Sequence, residues 1–398
     1  MQKLIDFFLT FAIFFPYIGF VNNIDIQPNF FFLGIIFLFV ALIISRIKVN
    51  ANVFYVYIII FLFIIIRFSL ELELLDYKYI STYIIAITTP FLLHIVLHNN
   101  LIYISEKKLT FILLIYILVG IIQLIHPMFL TGLVSRSEDA IMMLVSSGRG
   151  VRSLTAEPAR FGEILLILNI LFVYLIMNRE SDDGKIKHSI IITIILLLCN
   201  ILISQSSYSV FLHTISTIVL FIVLKKFYII ALLSAPLMLI IPTLLSGDNY
   251  RIYIIFHSLL SDTDYLLQQG AFMRLMNVPI SLNNLTYYGI FGSGNSNSEY
   301  YSSIYTFIGN YHYIVSNRNH GGVIEYLLKF GVLSFPIFII YIYIMKNILK
   351  LNYKLGNKHI RMGIFFCISL LIVSLQDGSP ANPLMWFSLI FIFINSNY

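Results

Sequence analysis

Three arginines and a glutamate crowd one short stretch, Gly148-Arg149-Gly150-Val151-Arg152-Ser153-Leu154-Thr155-Ala156-Glu157-Pro158-Ala159-Arg160-Phe161-Gly162. A guanidinium is a planar fork of donors that matches phosphate oxygens. The stretch therefore has the makings of an anion site that leads into a helix. Glu157 and Pro158 equally suit the first turn of any helix, and arginine at a membrane boundary also snorkels for no further purpose. Farther on, Arg274 precedes a glycine-rich turn, Gly289-Ile290-Phe291-Gly292-Ser293-Gly294-Asn295. Its likeness to a phosphate-cradling loop is superficial, and a flexible turn explains it as well. Next comes Asn317-Arg318-Asn319-His320-Gly321-Gly322, followed by an apolar run. His320 would stand at a helix N-terminus, where free N–H groups favour an anion. Its imidazole could take or give a proton at neutral pH, or it and Asn319 could simply cap the helix. Seven tyrosines between Tyr287 and Tyr313 suit either sugar faces or headgroup depth, and the second is the more ordinary role. Ser204-Gln205-Ser206-Ser207-Tyr208-Ser209 is a polar streak between apolar runs, able to line a cavity or bond across helices. No Ser/His/Asp nucleophile set or metal motif accompanies these residues.

The elements that must position them are membrane helices. Only 11% of the 398 residues are charged while 59% are hydrophobic, and apolar runs recur from end to end. A single integral membrane domain over 1–398 is predicted, all-α and polytopic, with about 12 transmembrane helices. The spans are expected near 4–21, 29–45, 51–70, 79–97, 109–126, 160–178, 188–204, 207–224, 227–245, 321–345, 361–376 and 383–395. The first is read as a helix rather than a leader, since no small-residue cleavage site follows it. Cys199 and Cys367 both fall inside spans, so no disulfide framework and no cysteine metal site is implied.

Charge sets the orientation. With both termini cytoplasmic, the inside connectors collect Lys3, Arg46, Lys48, Lys107, Lys108, Arg179, Lys185, Lys187, Lys225 and Lys226, together with the run Lys346 to Arg361. Two long loops then lie outside, a first at 127–159 and a larger one at 246–320. The outside cations are Arg136, Arg149, Arg152, Arg160, Arg251, Arg274 and Arg318, with Lys78 as the exception. Topology explains lysine inside. It does not ask for arginine outside.

Taken together and in order, these segments resemble the Wzy-type O-antigen and exopolysaccharide polymerases and the related O-antigen ligases. The carriers are the arginine stretch with Glu157-Pro158, the streak Ser204–Ser209 and Arg274 with Gly292-Ser293-Gly294. After them come Asn319-His320 with Glu325-Tyr326-Leu327 and Phe330-Gly331, and then Asn382-Pro383. The chain departs from the family in having Gly321 after the histidine, with Asn319 before it.

The resemblance implies a multi-pass enzyme of a bacterial inner membrane with two long periplasmic loops. It would move a glycan from undecaprenyl diphosphate to a hydroxyl of another lipid-linked repeat unit. Its partners would be those donor and acceptor glycans, the bilayer and a chain-length regulator, with no nucleic acid, cofactor or metal. Arg152 and Arg274, then Arg149 and Arg318, would hold the diphosphate, and His320 or Glu157 would be the base. A ligase acting on lipid A–core is the nearest alternative. A flippase or other transporter is the rival from a different class, but its charged groups would sit at mid-membrane.

Overall fold

The computed structural model describes residues 2–19, 26–43, 51–69, 77–134, 150–178, 183–226, 304–305, 312–313, 330–354, 357–376 and 381–396. Arg149, Arg274, Arg318 and His320, the expected span at 227–245, and all but four residues of the loop at 246–320 lie outside these residues.

Among the described residues the chain is helical, apart from a two-residue antiparallel strand pair, Ile304–Tyr305 with His312–Tyr313. The helices are α1 (Gln2–Phe14), α2 (Asn29–Ile43), α3 (Ala51–Ser69), α4 (Tyr77–His98), α5 (Glu106–Ile125) and α6 (Pro158–Asn178). They continue with α7 (Asp183–Cys199), α8 (Ser207–Val223), α9 (Phe335–Lys354), α10 (Asn357–Gln376) and α11 (Pro383–Ser396). Among the described residues, four segments are long and apolar enough to cross a bilayer: Glu106–Ile125, Pro158–Met177, Ile186–Ser204 and Gly331–Lys350. The chain is thus a helical membrane protein. Phe111, Leu114, Leu118 and Ile125 leave α5 with an exposed apolar face, as lipid contact requires. By contrast α6 is enclosed, with 89% of its spanning window buried.

Pairs of contacts fix the helix directions. Gly162 of α6 lies against Asn200 and Ser209. Seven residues on, Asn169 meets Thr193 of α7 and His213 of α8. Hence α6 runs antiparallel to α7 and parallel to α8. On α1 and α5, Asp6 pairs with Lys108 while Phe15 stacks on Tyr116, so these two are parallel. Tyr341 and Met345 of α9 meet Leu370 and Cys367 of α10 in reverse order, which makes that pair antiparallel.

Two ends of the bundle emerge. At one, Gln2, Asp6, Asn100, Tyr103 and Lys108 bond to one another. At the other, the turn after α1 bridges to the turn after α5 through Ile18 and Val134, and α6, α8 and α11 all begin there.

Two expected boundaries differ. α1 stops at Phe14 rather than running toward Val21, because Pro16 has no N–H to continue the ladder and disfavours helical backbone before it. The helix expected to end near 345 extends to Lys354, after a 3-10 turn at Gly331–Ser334, with Pro336 accommodated in its first turn.

Candidate functional site

The second end of the bundle gathers the polar side chains. Its first component is the segment 150–157, which lies between α5 and the end of α7. Gly150 has φ +65°, a left-handed value that glycine tolerates, and a Cβ there would collide with the Ser204 carbonyl oxygen. Val151 N donates to the Ile203 carbonyl at 3.1 Å. Ser153 is also left-handed, φ 51°, although it carries a side chain. Two buried hydrogen bonds hold it: its hydroxyl donates to the Tyr116 carbonyl at 2.6 Å, and its carbonyl accepts from Gln123 Nε2 at 3.0 Å. Between them Arg152 is buried, and its Nη2 donates to the Thr131 carbonyl at 3.3 Å. Thr155 donates its hydroxyl to the carbonyls of Arg152 and Glu157, which folds the segment into the start of α6.

The second component is an ion pair in the first turns of α6. Arg160 Nη1 donates to Glu163 Oε2 at 2.9 Å, and Glu163 is buried. The other carboxylate oxygen, Oε1, accepts from Asn382 Nδ2 at 3.3 Å. Asn382 also caps α11, its Oδ1 accepting from Leu384 N at 3.0 Å. One carboxylate therefore ties the starts of two helices that are more than two hundred residues apart in the chain.

The third component lies deeper. The last turn of α7 widens into a π turn, Asn200–Ser204, which ends at a left-handed Gln205 with φ 49°. π turns recur at functional sites. Asn200 Oδ1 accepts from the hydroxyls of Ser204 and Ser209. Its Nδ2 faces His213 Nδ1 at 3.2 Å, and His213 Nε2 faces Asn169 Nδ2 at 3.4 Å. Thr193 donates its hydroxyl to Asn169 Oδ1 at 2.8 Å. All of these side chains are fully buried. Gly162 is what allows the approach: a Cβ there would collide with Ser209 Oγ and Asn200 Oδ1.

Chemically, this end offers arginines at the start of a helix, a buried carboxylate that tethers one of them, and a hydroxyl-rich turn beside them. Of the residues nominated from sequence, Arg152 and Glu157 are brought to it; Arg149, Arg274, Arg318 and His320 lie outside the described residues. Sequence reasoning missed Glu163, Gln123 and the trio Asn169, Asn200 and His213. The available signal was polarity inside otherwise apolar helices, which is costly and therefore informative. Among the described residues no three His, Cys, Asp or Glu side chains gather as a metal site would need. No protein-family model matches the chain, and no curated protein matches it.

Proposed function

We propose that the chain is a polysaccharide repeat-unit polymerase of a bacterial inner membrane, with about twelve spans, both termini cytoplasmic and the polar end of α6 facing the periplasm. One observation carries this reading. Three segments that resemble the Wzy-type family, 148–162, 204–209 and 382–383, lie far apart in the chain, and contacts of Gly150, Val151, Gly162 and the adjoining Glu163 bring them to one end of the bundle.

The chemistry suits that end. A hydroxyl of the acceptor repeat unit attacks the anomeric carbon of the donor glycan. The bond from that carbon to the diphosphate oxygen breaks, and the lipid diphosphate leaves with the electron pair. The hydroxyl proton passes to a base, His320 or Glu157. The donor already carries its leaving group, so the protein's part is orientation and stabilisation of growing negative charge. Arginines at the periplasmic face, Arg152 among them with Arg149, Arg274 and Arg318, meet that need. Donor and acceptor both arrive on lipid carriers, which accounts for a site at the end of a membrane bundle. A chain-length regulator would act on the same end.

The test is deletion of the gene in its native host, with surface and carrier-lipid glycans resolved on a gel. Loss of polymer ladders with retention of single repeat units is the expected result. Accumulation of long polymer on the carrier lipid would make the chain an O-antigen ligase, and unchanged glycans would remove it from this pathway.

A further inference from the structure

His213 is an ionisable side chain wholly buried among α6, α7 and α8, and such groups inside a membrane bundle are placed at a cost. Both of its ring nitrogens face amide nitrogens. A neutral imidazole has one donor and one acceptor, so one amide must present its oxygen instead. Either amide can turn, since the Ser204 and Ser209 hydroxyls can donate to the Asn200 and Ser206 carbonyls as well as to Asn200 Oδ1. In both arrangements Nδ1 is bonded to the Asn200 amide and Nε2 to the Asn169 amide, and both ring nitrogens are satisfied in a single tautomer.

The consequence reaches the surface. Asn200 opens the π turn, and the same turn presents the Ile203 carbonyl to Val151 N–H and the Ser204 carbonyl to Gly150. Arg152 is the next residue. We propose that His213 is a positioning residue: acting through Nδ1 and Asn200, it holds the π turn in the shape that seats the Gly150–Arg152 segment. The importance of that segment rests on the polymerase reading above; the positioning itself does not.

Two substitutions separate this role from plain core filling. His213→Asn retains an amide where Nδ1 stands. His213→Gln places one where Nε2 stands and fills more of the ring's volume. The full-length chain carrying Val151→Cys is labelled in detergent with a water-soluble maleimide, and labelling of the native Cys199 and Cys367, measured in the parent, is subtracted. His213→Gln and His213→Ala should speed labelling about tenfold, as loss of one buried hydrogen bond allows, while His213→Asn should stay close to the parent rate. If Gln protects as well as Asn or better, the proposal is overturned. The same His213 variants without the reporter cysteine are then scored for glycan ladders. Ladders lost in the labelling order support both the positioning and its use in polymerisation. The expected labelling order with full ladders in all three upholds the positioning and overturns the use of the segment in polymerisation, while the gene deletion above decides the polymerase reading itself.

Discussion

The two ends of the bundle each carry an ion pair, and the pairs differ in surroundings more than in geometry. Lys108 and Asp6 meet at 2.7 Å with side chains 22% and 27% exposed. Arg160 and Glu163 meet at 2.9 Å with exposures of 18% and 1%. The shorter pair is the weaker one by physical expectation, because water and salt screen it. The longer pair includes a carboxylate withdrawn from water, which must keep its partners or pay the cost of an uncompensated buried charge. The first pair also agrees with elementary helix electrostatics only in part, since Lys108 lies in the first turn of α5 beside the N-cap Ser105. The second places Arg160 in the first turn of α6, where a cation opposes the helix dipole. Both ends thus put a cation where the dipole disfavours it, and what sets the α6 end apart is the buried acid that anchors it.

That contrast can be broken at its strongest point. Arg160→Ala should destabilise the solubilised protein by about 3–5 kcal/mol, toward the lower figure because Asn382 still donates to Glu163. Adding Glu163→Gln to it should recover part of the loss, and a double-mutant cycle by thermal unfolding measures the recovery. If the loss in the double variant equalled the sum of the losses in Arg160→Ala and Glu163→Gln measured singly, the pair would not be coupled. Activity offers the next largest effect. On the proposed polymerase reading, Arg152→Ala should raise the polymerisation barrier by about 2.7–4 kcal/mol, and Arg152→Lys should rescue it poorly because lysine lacks the fork. Lipid-linked polymer yield reads this out, with protein level measured alongside because Arg152 is buried.

Smaller effects sharpen the same comparison. Gly162→Ala should cost about 1–3 kcal/mol by overpacking against Ser209 and Asn200. Paired with Ser209→Gly, which vacates the colliding hydroxyl, it should cost less, and equal losses would place the clash elsewhere. At the opposite end, Lys108→Ala should cost only about 0.2–1 kcal/mol. Its effect should fade as sodium chloride is raised, while that of Arg160→Ala persists, and unfolding of both variants across a salt series checks the difference.

Much of the scaffold could be read from the chain because bilayer thickness forces long apolar runs. The bounds of α4, α6 and α8 fall within a few residues of the spans drawn from hydropathy. The end of α1 was visible in Pro16 but overridden by the apolar residues around it. Arg152 and Glu157 could be nominated from sequence because arginine in a segment expected outside the membrane has no topological purpose, and the structure brings both to the end where α6 begins. Glu163 could not, since a glutamate one turn into a helix reads as an ordinary solvated residue until Asn382 is seen to approach it. Asn169, Asn200 and His213 were legible only as isolated polar residues. Their convergence depends on the rotation of three helices about their axes, and no spacing along one helix records that.

The π turn has a consequence for how this protein can change over time. A π turn holds one residue more than an α turn would, and each residue rotates an α-helix by about 100°. Removing a single residue from Asn200–Ser204 would leave every side-chain type available yet swing Asn200 away from His213 or Ser204 away from Gly150. Substitutions on the lipid face of α5 need only remain apolar, so that surface can drift freely. The chain from Thr193 to Ser209 cannot gain or lose a residue without taking the seat of Arg152 with it, so its length should be kept more strictly than its composition.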